Sequence, residues 1–334
     1  MNVVELWRFP VKSMGGTRVD ALRIDRRGVH ADRLWAVRDV EKGVTASARR
    51  IPVLLQCSAR YATEPAEDAG PGNVPAVVIT MPDGREFDGA DPAADTVLSE
   101  LVGREVRLVT LPAPKDTSAH RMSLQTSLGN FSADQVRRDF GLGDTDDLPD
   151  TSVFSTRQMV TLARYSTPPG TFVDLSPVHV LSTASLRSLS ADGNPYDVRR
   201  FRPNVLVDID IDIDIDIDEA DGFPESAWVG GQVRLGTVVL SVTNPTIRCV
   251  VPTRPQPGIE LDTSLTRRLA ERTDRFLGIY ADVATPGMVR VGDEVSARPA
   301  ASPGSVQRAA AAAGKAATRG LQKVLEATVL RTRS

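Results

Sequence analysis

One of the two cysteines in the sequence, Cys249, directly follows a basic residue, Arg248. A neighbouring cation lowers the pKa of a thiol and favours the thiolate, which is a nucleophile and a ligand for soft metals. Free cysteine is also among the most buried residue types, so a packing role for Cys249 stays open. Packing is the simpler interpretation for Cys57, which lies in the apolar stretch PVLLQCSARY.

Basic and small polar residues recur at the ends of strand-like runs, in the segments PVKS, ADRLW, DLSP, RFRPN and TIRC. Arginine at such positions suits anion binding, because its guanidinium is always charged and forms forked hydrogen bonds to phosphate. A single arginine on a β surface is more often solvated or ion-paired, so these segments form a site only if the fold brings them together. The sequence has no Gly-rich phosphate loop, His/Cys metal spacing or nucleophile elbow. His179 lies within an apolar strand pattern, which favours a hydrogen-bonded core role.

The elements that must position these residues are mostly strands. Alternating apolar and polar residues between turn signals predict antiparallel β structure in residues 1–111, with a hairpin turn at MPDGRE and a helix in DPAADTVLSELVG ending at Gly103. Residues 112–150 are predicted to be a linker or excursion, with a modest helical signal from Ala133 to Phe140. A second β-rich domain follows at 151–297, where Ser182 or Thr183 caps a helix ending near Gly193. Residues 298–334 are rich in Ala and Arg and are predicted to be a disordered tail.

An unbroken alternation of Asp and Ile runs from Asp208 to Asp218. Carboxylates on one strand face could gather Ca²⁺ or Mg²⁺, but an edge strand with Ile inward and Asp in solvent is the favoured interpretation.

Charge and cysteine content limit the class of protein. A formal net charge of −3 gives no global case for nucleic acid or membrane binding. The first residues carry charges and no long apolar run, so we expect a cytoplasmic protein without a signal peptide. Two distant cysteines argue against a disulfide framework.

Taken in order, the motifs resemble a known family. WRFPVKSMGG, GVHADRLWAVRD and VTASARRIPVLLQC resemble the N-terminal β-barrel domain of MOSC proteins. SPVHVLSTASLRSL, RRFRPNVLVD, TNPTIRCVVPT, LGIYADV and PGMVRVGDEV resemble the MOSC domain shared with molybdenum cofactor sulfurases and amidoxime-reducing proteins. The resemblance implies a mainly β (α+β) protein, in which an N-terminal barrel-like domain packs on a MOSC barrel with a few helices and the cofactor lies in the cleft between them.

The resemblance also implies a site. In amidoxime-reducing members the motif cysteine ligates the molybdenum of a pterin cofactor, and Cys249 occupies that position. Asp174 matches an acid near the metal, which implies a catalytic role in proton delivery. The implied cofactor contacts are Lys12, Ser13, Arg33, Ser176, Arg202, Asn204, Arg248 and Tyr280. Molybdopterin presents a phosphate and polar pterin edges, which suit these cationic and hydrogen-bonding side chains.

The implied reaction is reductive removal of oxygen from an N-hydroxylated, or related N- or S-oxygenated, small molecule. No cysteine-rich ferredoxin domain follows, so the electrons are expected from a separate protein. Two alternatives stay open: a non-redox cofactor or sulfur carrier using a Cys249 persulfide, and an adaptor with an empty cleft. Ile247 replaces a polar residue of the nearest eukaryotic relatives, and VVPTRPQPG replaces their acidic turn, so inference about the substrate is weakest there.

Overall fold

The computed structural model describes residues 1–144, 146–190, 193–209 and 222–300. The strands are β1 (Asn2–Arg8), β2 (Thr17–Val19), β3 (Ala21–Asp25), β4 (Gly28–Val29), β5 (Trp35–Asp39), β6 (Val44–Thr45), β7 (Ser58–Tyr61), β8 (Val77–Thr80), β9 (Glu86–Asp88), β10 (Val106–Thr110), β11 (Val178–Ser182), β12 (Val205–Asp208), β13 (Gln232–Leu235), β14 (Val238–Ile247), β15 (Phe276–Thr285), β16 (Gly287–Arg290) and β17 (Val295–Arg298). The α-helices are α1 (Ala94–Val102), α2 (Leu124–Asn130), α3 (Ala133–Phe140), α4 (Thr156–Arg164), α5 (Thr183–Leu189) and α6 (Ser264–Thr273). A mainly β protein with a few helices confirms the predicted fold class, but the described strands form open sheets and not the closed barrels that the resemblance implied.

The largest sheet combines strands from both ends of the chain, in the order β17-β13-β14-β15-β11-β12-β1-β2. Its hydrogen-bonded neighbours are antiparallel except β11 and β12, which run parallel. β3 likewise pairs with β16 on one side and with β4 on the other. The predicted domain limits therefore stay a prediction, because the two halves of the chain share a sheet.

Three apolar cores follow from this arrangement. The first lies between the large sheet and the β16-β3-β4 sheet, and it includes the fully buried Leu22, Val180 and Ile279. The second holds the N-terminal sheets and α1 together, with Cys57 fully buried among its members. In the third, α5 and α6 pack on the other face of the large sheet. β11 is buried along its whole length, as expected for an apolar strand covered on both faces.

Local sequence signals placed several elements correctly. Gly103 ends α1 with a left-handed φ of 74°, and the β8–β9 hairpin turns at Gly84. Ser182 caps α5 through its side chain, although that helix ends at Leu189. The strand expected around Cys57 begins only at Ser58, because Pro52–Gln56 forms a 3₁₀ helix.

Residues 120–166, of which 145 is not described, form a helical segment with α2, α3 and α4. The sequence predicted a linker or excursion over residues 112–150, so α4 lies beyond the predicted limit. Helices α2, α3 and α4 each begin with a serine that accepts a backbone hydrogen bond, namely Ser123, Ser132 and Ser155. Ser155 and Gln158 form a full capping box. The predicted helical signal from Ala133 to Phe140 is confirmed as α3.

Two predicted features fall largely outside the described residues. Asp208 ends β12, but the rest of the Asp–Ile run beyond Ile209 is not described. The predicted tail is described only to residue 300. Within the described ranges, no helix is long and apolar enough to cross a membrane.

Candidate functional site

A cavity of about 340 Å³ opens where the helical segment meets the ends of the strands. The structure brings every predicted site residue to its wall: Lys12, Ser13, Arg33, Asp174, Ser176, Arg202, Asn204, Arg248, Cys249 and Tyr280. The topology explains part of this convergence. β11 and β12 are parallel, so the segments that precede them lie side by side. β1 runs antiparallel to β12, so the residues that follow β1 lie at the same edge of the sheet as the residues that precede β12.

Three of these residues have a left-handed backbone conformation. The φ angles are 72° for Ser13, 52° for Arg33 and 56° for Arg202. A non-glycine residue in this region costs roughly 1–2 kcal/mol, and such residues cluster at functional sites. The strained positions therefore mark the same cavity wall as the sequence motifs.

Positive charge dominates the cavity wall. The lining cations are Lys12, Arg33, Arg49, Arg50, Arg200, Arg202 and Arg248, and the lining carboxylates are Asp139 and Asp174. An excess of guanidinium groups in a partly desolvated pocket favours an anionic ligand.

Arg202 gives the clearest indication that this cavity suits an anion. Its guanidinium lies 4.4 Å from the ring centroid of Phe9, and Arg33 contacts the same ring at 4.8 Å. Both Nη atoms of Arg202 are buried and have no hydrogen-bond partner among the described residues. Burial, and then repulsion from Arg33, lowers the pKa of Arg202 to about 9. A buried guanidinium without partners is costly unless a ligand supplies acceptors.

Lys12 and Asp174 form an ion pair, with Nζ and Oδ1 2.5 Å apart. Burial lowers the pKa of Lys12 in spite of the attraction of Asp174. Burial alone would raise the pKa of Asp174, but the charge of Lys12 and its hydrogen bond outweigh burial and hold that pKa well below its usual range. The Asp174 side chain is 67% exposed because it faces the cavity. At neutral pH, Asp174 is therefore anionic, and the proton of the pair resides on Lys12.

Cys249 is a free, half-buried thiol on the cavity wall. Burial raises its pKa, although the charge of Arg49 and a hydrogen bond from the Val251 backbone oppose the rise. The net shift is thus opposite to the sequence expectation, because burial outweighs the attraction between the thiolate and Arg248. Coordination to a metal would still deprotonate it, because a bound cation inverts the local pKa order.

Arg248 contacts backbone oxygens instead of the thiol. Its Nε donates to the Leu277 carbonyl at 2.8 Å, its Nη1 to the Phe201 carbonyl at 3.0 Å, and its Nη2 lies 2.7 Å from His179 Nε2. Gly278 permits this packing, since a Cβ there would lie 2.8 Å from His179 Nε2. Arg248 thus fixes the segment that carries Arg202.

His179 has the core role that its sequence pattern favoured. Its Nδ1 lies 3.3 Å from the Arg202 carbonyl, and its Nε2 receives the bond from Arg248, which defines a neutral tautomer with the proton on Nδ1. Burial, reinforced by Arg248, holds the pKa of His179 well below its usual value. Asn204 is also tied to the backbone: Oδ1 accepts from the His179 N–H at 3.3 Å and Nδ2 donates to the Trp7 carbonyl at 3.3 Å.

Sequence reasoning missed Arg49 and Arg50 in the segment SARR. The Ser13 hydroxyl positions this segment by accepting the Ala48 N–H at 2.9 Å. Arg50 then binds Asp139 of α3 through Nη2 at 2.8 Å, which joins the helical segment to the cavity wall. Two adjacent arginines between strand-like runs were the only available signal, and paired arginines are common on surfaces.

The fold and this site define a class of protein. The family model described as the MOSC N-terminal beta barrel domain matches residues 1–100, and that described as the MOSC domain matches residues 168–296. The chain is therefore a MOSC-domain protein with an N-terminal MOSC β-barrel domain.

Comparison with known proteins gives more distant likenesses. The chain is 24% identical over 326 residues to mitochondrial amidoxime reducing component 2 of Bos taurus. The aligned region covers 88% of this chain and 82% of that protein. Among solved structures, the YuaD protein of Bacillus subtilis is 12% identical with a TM-score of 0.35, over 88% of this chain and 93% of that one. YiiM from Geobacillus stearothermophilus is 14% identical with a TM-score of 0.28, over 37% of this chain and 54% of that one.

Proposed function

We propose that this protein is a molybdenum-cofactor-binding reductase that removes oxygen from N-hydroxylated, or related N- or S-oxygenated, small molecules. The observation that carries the proposal is Arg202, which lines a cationic cavity and whose buried Nη atoms have no hydrogen-bond partner in the described part of the chain. Its family and its likeness to an amidoxime reducing component support the choice of cofactor and reaction.

The residues present fit a phosphate-bearing pterin cofactor. Arg202 offers its guanidinium for the phosphate, Arg33 can contribute beside its ion pair with Asp32, and the buried Ser176 hydroxyl lines the same wall. Tyr280 supplies a further polar group, and Ser13, Asn204 and Arg248 hold the binding segments in place. Cys249 would be the protein ligand to the metal, because it is the thiol on this wall.

When bound, the molybdenum centre supplies a two-electron couple that can accept an oxygen atom. The overall reaction converts R–NH–OH, two electrons and two protons into R–NH₂ and water, with cleavage of the N–O bond. Lys12 holds a proton at Nζ beside the Asp174 carboxylate, so Lys12 is the proton-bearing member of the pair at neutral pH. Asp174 would hold the Lys12 ammonium in place rather than take up its proton, because its pKa lies well below its usual range, and Lys12 would be the proton donor.

A separate protein would deliver the electrons. The bovine relative is named as a component, which agrees with a system of more than one protein.

Expression in a host that makes the molybdenum cofactor tests the proposal. Purified protein should contain molybdenum and pterin, and it should reduce a simple amidoxime with a chemical reductant. Cys249→Ser should lose the metal and the activity while keeping its circular dichroism spectrum. Cys57→Ala is the matched control: it removes the other thiol, which lies in the core, and should keep the metal even at reduced stability.

Unchanged molybdenum content and turnover in Cys249→Ser would refute the assigned ligand. A folded protein without metal that carries a persulfide on Cys249 would instead establish the sulfur-carrier alternative.

A further inference from the structure

The cavity has two chemically different walls. The cationic floor consists of the strand-end residues described above, including Arg33, Arg202 and Cys249. The opposite wall, which we call the roof, comes from the helical segment 120–166. Its apolar lining residues include Met122, Phe131, Val136, Phe154, Met159 and Leu162.

Most roof residues that line the cavity are apolar, and four are polar without charge: Asn130, Thr151, Tyr165 and Ser166. Asp139 is the charged residue that the segment contributes to the cavity lining. Its carboxylate is already bound by Arg50 at 2.8 Å and by Gln135 at 2.7 Å, and Arg49 lies 3.7 Å away. A ligand group under the roof therefore meets mainly apolar side chains.

The roof is also tied to the rest of the protein. Besides the Arg50 pair, the carbonyl of Asp139 accepts the Val250 N–H at 2.9 Å, next to Cys249. Gln158 of α4 donates to Asn244 of β14 at 3.0 Å. These contacts fix the distance between the apolar roof and the thiol, as a specificity surface requires.

We propose that the roof binds the non-reacting part of the substrate and selects an uncharged aromatic or aliphatic group, while the N–O group lies at the floor. This proposal depends on the proposed function in one respect, namely that the reacting group of the substrate is an N–O group. An apolar wall binds an apolar group by removing it from water, and it disfavours a charged one, which would lose its hydration without gaining a partner.

Calorimetric binding to the full-length protein tests the roof without requiring turnover. The probes are benzamidoxime, acetamidoxime and a benzamidoxime with a para-trimethylammonium group. They share the reacting group and differ in apolar area and charge. Benzamidoxime should bind at least about tenfold more tightly than either of the others, because each buried methylene contributes roughly tenfold or more to discrimination.

α4 offers a matched pair of variants. Met159 is buried on the cavity wall, and the adjacent Val160 is 46% exposed. Met159→Ser should weaken benzamidoxime binding about tenfold and leave acetamidoxime nearly unchanged, whereas Val160→Ser should change neither. Met159→Leu, which keeps the apolar surface, should bind benzamidoxime to within about threefold of wild type, and this variant controls for loss of the fold.

Equal affinities for the three probes, absence of binding, or equal effects of the Met159 and Val160 serine variants would overturn the inference. The proposed function fails separately: selective binding without reduction would leave the roof assignment standing and reject the reductase. In the holoprotein, Met159→Ser should raise KM for benzamidoxime with kcat nearly unchanged, since the roof does not contact the reacting atoms.

Discussion

Replacing Asp139 by Asn should release the roof from the floor. The carboxylate accepts two bonds from Arg50, at 2.8 Å from Nη2 and 3.3 Å from Nε, and one from Gln135 at 2.7 Å. Burial alone would raise the pKa of Asp139, but the Arg50 hydrogen bond and the Arg49 charge outweigh it and hold the pKa below its usual value. Asn keeps the shape of the side chain and loses the charge and one acceptor.

The expected loss of free energy depends on how deeply Asp139 and Arg50 are buried. Removing one partner of a fully buried ion pair costs about 3–5 kcal/mol. The Arg50 side chain is 29% exposed, so water takes over part of its hydrogen bonding in the variant. We therefore expect a loss of about 2–3 kcal/mol, which corresponds to a roughly 30- to 150-fold increase in the opening equilibrium.

Amide hydrogen exchange measures this opening locally. Exchange in α3 should accelerate about 30- to 150-fold in Asp139→Asn, while the amides of β11 in the central sheet stay protected. Asp147→Asn is the control, because it removes an exposed carboxylate from the same segment. If α3 exchanged at the wild-type rate, or if the control lost as much protection, the ion pair would not be what holds the roof.

Three further predictions concern charged groups. Arg202→Gln should leave the cofactor-free protein at least as stable, because it removes a buried charge without partners, yet lower pterin retention on desalting at least tenfold. His120 is fully buried and its pKa is lowered to about 4, so the unfolded chain binds its proton first and stability should fall by about 2–3 kcal/mol from pH 6.5 to pH 4. His120→Gln should flatten that part of the denaturant-derived stability profile. Lys12→Met should raise the pKa of Asp174, seen as an upward shift of its carboxyl carbon titration by NMR; an unmoved titration would mean that Lys12 does not control it.

The sequence predicted the local elements well because their signals lie within a few residues. The end of α1 at Gly103, the β8–β9 hairpin and the Ser182 cap all follow from short-range hydrogen bonding and backbone preference. The roof was harder to predict. Its helices have at most nine residues, and the apolar side chains of α3 and α4 that lie inward line a cavity rather than a packed core. The serines that cap them were the available signal.

The order of the sequence motifs predicted which residues form the site, but it could assign only some of their roles. Their types and order indicated anion binding beside a thiol, and the structure places all of them on one cavity wall. Their individual roles depend on orientation. Arg248 and Asn204 are occupied by backbone contacts, whereas Arg202 is left without partners, although all three look alike as polar residues at strand ends.

By itself, the sequence determined the mainly β class, the family motifs and four of the cations that line the cavity with Cys249, namely Lys12, Arg33, Arg202 and Arg248. The tertiary structure alone decided which guanidinium lacks a partner, that burial raises the pKa of the thiol, and that a helical segment covers the cavity with apolar side chains. The physical reason is that desolvation and hydrogen-bond satisfaction depend on which distant segments meet, and spacing along the chain does not record that.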